Sequence, residues 1–142
     1  GKLVINAPRT DKMPFRESFF RSMSKKKGYL TIRIEDYYHK EEFDLLKERN
    51  DTLEIQSYYA GHLSTPIKPY LLDFRLLTSA LTGFKGNLIL DDNGFNTWSK
   101  EEIMKLSNNS QVTIKVHNTG NPTEPGLNEI APNVKFEVIK FF

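Results

Sequence analysis

The sequence contains no cysteine among its 142 residues. This absence excludes disulfides, zinc–thiolate sites and a cysteine nucleophile together. Charge of one sign is also scarce: the formal net charge is only +2, too little to indicate nucleic-acid binding. No apolar run approaches the roughly 18 residues that a membrane span needs, and the N-terminus lacks the pattern of a signal peptide. We therefore expect neither a nucleic-acid partner nor a membrane span.

The composition that remains is typical of a soluble globular domain. Hydrophobic residues make up 38% and charged residues 27% of the chain, and the length suits one domain with a proper core. We predict a single domain over residues 1–142. Because a strand-like run begins almost directly after Gly1, we expect this domain to be excised from a longer multidomain protein that works inside a cell.

A strand-like pattern recurs along the chain with polar residues at matching offsets. It covers residues 30–34, 53–56, 88–91, 112–116 and 134–138. The first and third positions of each copy are apolar, and the fourth is always polar: Arg33, Gln56, Asp91, Lys115 and Glu137. Since side chains of a strand alternate between faces, the pattern predicts strands that bury one face and leave the other in solvent.

Helical patterns separate these strands. The predicted strands are 3–5, 29–34, 52–58, 87–91, 111–117 and a last one from 134; the predicted helices begin near Pro14 and span 40–50, 69–82 and 99–107, where Ser99 and Glu102 form a capping box. This alternation predicts an α/β fold: a mostly parallel or mixed sheet of five or six strands with helices mainly on one face. A two-layer sandwich is favoured over a solenoid of strand–helix units, because the unit lengths vary and the repeat positions of leucine-rich repeats are not kept.

The first candidate binding region is the loop and helix start at residues 7–16. Backbone N–H groups at a helix N-terminus bind anions, and Arg9, Lys12 and Arg16 would add positive charge for a phosphate. No glycine-rich phosphate cradle accompanies them. The alternative is a polar loop whose cations lie in solvent.

The second candidate is the carboxyl edge of the predicted sheet, where ligands of open α/β sheets bind. Tyrosines can stack on a base, and acidic or histidine side chains can bind its edge or the ribose. The residues that follow successive strands are Asp36, Tyr38, Tyr59, His62, Asp91 and His117. No spacing resembles a known metal motif, and the residues after Asp91 are typical of a turn. We therefore assign no metal ligand and no catalytic residue.

The third candidate is the polar face of the sheet. Its predicted members are Thr31, Arg33, Glu54, Gln56, Thr113, Lys115, Lys135 and Glu137. Their mixed signs disfavour a polyanion and suit a protein partner or plain solvent. The chain end is apolar through Phe136, Ile139, Phe141 and Phe142, which suits either core packing or contact with another domain.

The segment Lys2–Leu3 together with residues 7–16 resembles the KLAMP-type domains of Dot/Icm type IV-secreted bacterial effectors. Those are small α/β modules that occur in tandem and are associated with adenine nucleotides. The resemblance implies an AMP- or ADP-sized ligand and a neighbouring copy of the module. It also implies a virulence effector secreted into the host cytosol, where a host protein or a neighbouring domain would be its partner.

Together these observations predict a small-molecule binding module for an adenine nucleotide. The phosphate would lie on Arg9, Lys12 and Arg16, and the base and ribose near the residues of the carboxyl edge. No cofactor is assigned; AMP, ADP or ATP is the expected ligand, with or without Mg²⁺. Two alternatives stay open: a protein-interaction module using the polar face or the apolar C-terminus, and a nucleotide hydrolase or transferase with His62 or His117 as acid or base.

Overall fold

The structure, a computed structural model, describes residues 2–8, 15–35, 39–58, 74–91, 100–109, 111–117 and 131–139. The strands in these ranges are β1 (Lys2–Asn6), β2 (Tyr29–Glu35), β3 (Leu53–Tyr58), β4 (Asn87–Asp91), β5 (Gln111–His117) and β6 (Val134–Ile139). The helices are α1 (Glu17–Ser24), α2 (Lys40–Leu46), α3 (Phe74–Leu81) and α4 (Lys100–Lys105), and a 3-10 turn follows at Leu106–Asn108. Among the described residues, no helix has the length and apolar character needed to cross a membrane.

The six strands form one sheet in the order β1-β2-β3-β4-β5-β6, and every neighbouring pair is parallel. The predicted α/β fold with a parallel sheet is confirmed. The strand order is sequential, which is the order of a solenoid of strand–helix units. The main helix contacts follow the same order, α1 with α2, α2 with α3 and α3 with α4. The solenoid alternative therefore describes the connectivity, although the units differ in length.

The hydrophobic core lies on one face of this sheet, under the helices. The first-position residues of the strand pattern form a row across the sheet, and the third-position residues form a second row. Fully buried side chains from the helix layer cover these rows: Phe20, Phe43, Leu46, Leu81, Phe84 and Leu106. This confirms that the alternation along each strand marks a buried face.

The first two helices are shorter than predicted. α1 begins at Glu17 with Arg16 as its N-cap, and Phe15 stays 39% exposed ahead of it. α2 ends at Leu46 because the N–H groups of Glu48 and Arg49 donate to carbonyls three residues back, a 3-10 arrangement that closes the helix. Residues 69–73 and Ser99 lie outside the described residues, so the predicted start of the third helix and the capping box stay predictions.

Two buried side chains hold the turns at the amino edge of the sheet. Arg49 is 2% exposed and donates to the carbonyls of Met23, Lys26 and Gly28 at the end of α1, and to that of Thr52. Asn109 does the same for α3, since it accepts from Gly83 N and donates to Leu81 O. Each satisfies helix-end groups that would otherwise need water.

Candidate functional site

The polar fourth-position residues of the strand pattern form one row across the face opposite the helices. The register pairs Arg33 with Gln56 and Gln56 with Asp91. It continues from Asp91 to Lys115 and from Lys115 to Glu137. Signs alternate along much of this row, so neighbouring strands present complementary rather than repelling groups.

A second row on the same face contains the residues two positions earlier. Its members are Val4, Thr31, Glu54, Ile89, Thr113 and Lys135. We call these two rows the polar face, and all eight residues predicted for it lie there. The expectation that the whole face is exposed to solvent is wrong, however, because Thr31 and Glu54 are both 0% exposed. Long side chains from neighbouring strands close over them.

Glu54 is the centre of a hydrogen-bonded group on this face. Its Oε1 accepts from the Tyr29 hydroxyl at 2.8 Å and from Thr31 Oγ1 at 3.1 Å. Its Oε2 accepts from Gln56 Nε2 and from Lys115 Nζ, each at 3.1 Å. The Lys2 ammonium lies 3.5 Å from Oε1. We name this group the Glu54 cluster: Glu54 with Lys2, Tyr29, Thr31, Gln56 and Lys115.

The cluster joins strands that are distant in the chain. Lys115 reaches from β5 across β4, where Ile89 pairs with Glu54, to the carboxylate on β3. Lys2 comes from the edge strand β1, and its Nζ also lies 5.0 Å from the centre of the Tyr29 ring. One carboxylate therefore fixes side chains from β1, β2, β3 and β5 in a single arrangement.

The electrostatics of the cluster favour an ionised Glu54. Burial acts to raise the pKa of this carboxyl, but the hydrogen bonds from Tyr29, Gln56 and Lys115, with the charge of Lys115, outweigh burial and lower the pKa to about 2. The pKa of Tyr29 is raised, first by burial and then by its bond to Glu54 and the nearby negative charges. Glu54 thus stays a carboxylate and Tyr29 a hydroxyl donor at neutral pH.

An open depression of about 240 Å³ lies beside the cluster, toward the amino edge of the polar face. Its lining comes from Tyr29, Thr52, Asn87, Leu88, Ile89, Gln111 and Thr113. Amide and hydroxyl groups border the apolar Ile89, so this surface has both hydrogen-bonding and apolar groups.

The residues predicted for the carboxyl edge are only partly described. Arg16 and Asp91 lie in described ranges, whereas Arg9, Lys12, Asp36, Tyr38, Tyr59 and His62 lie outside them. Asp91 ends β4 and is half-buried. His117 ends β5 at the same edge. The parallel order on which the edge prediction depends is confirmed; the ligand roles stay predictions.

Arg16 is held inside the protein rather than presented to solvent. Its guanidinium makes two 2.8 Å bonds to the Glu42 carboxylate and one of 2.7 Å to Pro8 O, and its side chain is only 7% exposed. Glu42 also accepts from the backbone N–H groups of Arg16 and His39. The carboxylate thus ties the starts of α1 and α2 together, and the phosphate role predicted for Arg16 would require this bidentate pair to open.

The sequence reasoning missed Glu42, Arg49 and Tyr29 as structural centres. Glu42 lies three residues after the helix N-cap His39, a spacing typical of capping carboxylates, and could have been found from it. Tyr29 lies two residues before Thr31, so the same alternation places it on the side of the sheet away from the core. Arg49 carries no local signal, because three of its four carbonyl partners lie at or just after the end of α1, more than 20 residues earlier in the chain.

The described residues hold no group of three or more histidine, aspartate or glutamate side chains placed to bind a metal ion. Comparison with known proteins finds no matching family model, no matching curated protein and no matching solved structure.

Proposed function

We propose that this chain is a binding module whose polar face takes an extended segment of another protein. The observation that carries the proposal is the Glu54 cluster, which fixes side chains from four strands on the face away from the core. Sequential strand–helix folds commonly use the free sheet face as an extended binding surface.

Pre-ordering of this face lowers the cost of binding. A partner that immobilises free lysine or glutamine side chains loses their rotamer entropy, about 0.5–1.5 kcal/mol for each one. Lys115 and Gln56 are already held by Glu54, so this cost has largely been met during folding. The cluster therefore supports binding without further rearrangement.

The most exposed charges on and beside the polar face are more often positive than negative. Glu54 is buried and neutralised by its partners, whereas Arg33 and Lys135 are exposed, and the neighbouring Lys2 keeps 46% of its side chain exposed. The acidic residues in the described rows besides Glu54 are exposed Glu137 and half-buried Asp91, and half-buried Lys115 is paired with Asp91 in the register. An acidic or mixed polar peptide segment suits this surface better than a basic one.

Selection from a phage-displayed random peptide library tests the proposal. We expect recovered peptides to be rich in Asp and Glu, and their binding to weaken with salt. An Arg33→Glu/Lys135→Glu variant should bind them at least about tenfold more weakly. The control Lys25→Glu/Lys105→Glu makes the same charge change on exposed residues of the helix layer and should bind normally. Equal losses in both variants, or no enrichment of peptides, would contradict the proposal.

A second candidate is adenine-nucleotide binding at the carboxyl edge, as in the KLAMP-type resemblance. The parallel sheet supports it, because the strands end at one edge, where open α/β sheets bind ligands. Since Arg16 is held by Glu42, Arg9 and Lys12 are the better phosphate ligands of the three predicted residues.

A thermal-shift titration with AMP, ADP, ATP and GTP, each with and without Mg²⁺, tests this candidate. A ligand that binds only the folded state raises the midpoint by mass action, so we expect a rise with adenine nucleotides that Arg9→Ala removes. Arg21→Ala is the matched control, because Arg21 is exposed and its guanidinium pairs with Glu17 within α1. Flat curves at millimolar nucleotide would exclude all but very weak binding.

A further inference from the structure

The edge strand β1 exposes apolar side chains on both of its faces. Leu3 is 44% exposed on the core side and Val4 is 42% exposed on the polar face. Leu3 begins a row that continues through Leu30, Leu53, Leu88, Val112 and Val134. Those five residues are at most 4% exposed. The layer that buries this row on β2 to β6 therefore leaves Leu3 on β1 partly exposed.

The opposite edge differs from β1. β6 also ends the sheet, yet its Val134 is only 4% exposed and its polar-face residues Lys135 and Glu137 are both exposed charges, whereas β1 carries one charged residue, Lys2. Exposed charges of this kind protect sheet edges against pairing with another chain. In the part of the chain that the structure describes, β1 is thus the edge suited to association.

The backbone of β1 has hydrogen-bonding groups that point away from β2. Ala7 N donates to Arg33 O, which places the odd-numbered residues with their polar backbone groups toward β2. Because these groups alternate along a parallel strand, those of Lys2, Val4 and Asn6 point outward. A strand laid against this edge would find three outward-facing residues in succession.

The sequence of β1 complements itself when two copies run antiparallel. If Val4 lies opposite Val4 of a second copy, Leu3 lies opposite Ile5 on the core side and Lys2 opposite Asn6 on the polar face. Apolar residues then meet apolar residues, and the two lysines are kept apart. In this register all three outward-facing residues exchange hydrogen bonds with the other copy.

We propose that β1 is the docking edge for a second copy of this chain, paired antiparallel about a two-fold axis at Val4. The two sheets then form one continuous twelve-stranded sheet with an isologous interface, which closes without growing into fibres. Pairing covers Leu3 and Val4 and gives hydrogen-bond partners to the outward-facing backbone groups of β1. This proposal is independent of the peptide-binding proposal, since it uses the edge of the sheet rather than the Arg33–Lys135 surface.

Cysteine cross-linking tests the register. Because the chain has no native cysteine, each introduced cysteine can form a disulfide only with its counterpart in another copy. In the proposed dimer the two Val4 Cα atoms lie about 5.5 Å apart, within the range of about 4.4–6.8 Å that a disulfide spans. Val4→Cys should therefore oxidise rapidly to a covalent dimer. Asn6→Cys, on the same face of the same strand, is offset by four residues from its own copy, about 14 Å, and should cross-link slowly. Met104→Cys, at an exposed apolar site on α4, is the control that gives the rate of disulfide cross-linking by random collision.

Sedimentation velocity over a wide concentration range gives a second readout. We expect a monomer–dimer equilibrium whose association constant falls at least about tenfold in Val4→Lys, which places two lysines opposite each other. Met104→Lys should leave the equilibrium unchanged. The Arg33→Glu/Lys135→Glu variant should still dimerise, which separates this proposal from peptide binding. A wild-type chain that stays monomeric at all concentrations, or a Val4→Cys rate equal to that of Met104→Cys, would overturn the proposal; so would open-ended oligomers.

Discussion

Glu54 is a buried carboxylate that the fold keeps charged. It lies on the polar face, where side chains of neighbouring strands shield it from solvent. Burial alone would favour the protonated form, but donors from β2, β3 and β5 reverse that preference. The donors are 2 to 61 residues away in the chain. One carboxylate therefore organises side-chain contacts between strands that no local sequence pattern specifies.

Replacing Glu54 with Gln tests this role through the pH dependence of stability. The pKa of Glu54 falls from its usual 4.5 to about 2 in the folded state. Its ionised form therefore stabilises the protein fully above about pH 4.5, and this contribution is lost as the pH falls toward 2. We expect Glu54→Gln to lower the free energy of unfolding by about 2 kcal/mol at pH 7, with the difference vanishing near pH 2.

Urea denaturation of both proteins at steps between pH 2 and pH 7 measures this difference. Glu101→Gln is the control, since Glu101 is an exposed acid at the start of α4 and its loss should change stability little at any pH. A constant gap between wild type and Glu54→Gln across the whole range would show that the carboxylate does not stabilise through its charge.

At the scale of elements, the turns between helix ends and strands decide how closely the units stack. Gly86 immediately precedes β4, and a Cβ there would lie 2.5 Å from Asp51 O and 2.6 Å from Asn50 O. Both atoms belong to the turn before β3. Gly83 is different, because it has a φ of 89° but open space around its Cβ position. Gly86 is therefore needed for the close packing of two turns, and Gly83 is needed for its positive φ.

Two alanine substitutions separate these requirements. Gly83→Ala should cost about 1 kcal/mol, because an L-residue is strained at this φ. Gly86→Ala should cost about 2 kcal/mol or more, since backbone carbonyls of the neighbouring turn must move. Guanidinium denaturation midpoints of the two variants give the comparison. If Gly86→Ala is the milder change, the close approach of the turns does not contribute to stability.

Some element boundaries follow directly from sequence, whereas the start of α1 and the end of α2 do not. β4 and β5 have the predicted ends because alternation and the flanking polar residues are local signals. The start of α1 moves to Glu17 because Glu42, 26 positions after Arg16, holds Arg16 in the N-cap. The polar rows could likewise be predicted from alternation, but the burial of Glu54 depends on Lys115 and Tyr29, whose approach is a tertiary effect.

At the scale of the whole molecule, the sequential order limits each strand to its immediate neighbours in the chain. Sequence alone could not fix this order, because alternating strands and helices suit several sheet topologies. Exposure along β1 is high at every position except Ile5, while β3 and β4 lie in the middle of the sheet. Opening of the fold should therefore begin at the β1 end.

Hydrogen exchange at low protein concentration, where the monomer is favoured, tests this gradient. We expect amides of β1 to exchange fastest among the strands and those of β3 and β4 slowest. Mass spectrometry of peptic peptides resolves the strands separately. Equal protection from β1 to β4 would indicate that the sheet opens only as a whole.

The order β1 to β6 is also the order in which the strands leave the ribosome. Each strand from β2 onward therefore has its only earlier partner already synthesised when it emerges. In the described sheet, each strand can pair with the preceding strand without a later segment inserting between them. The sheet can grow in one direction during translation, with each completed strand serving as the template for the next.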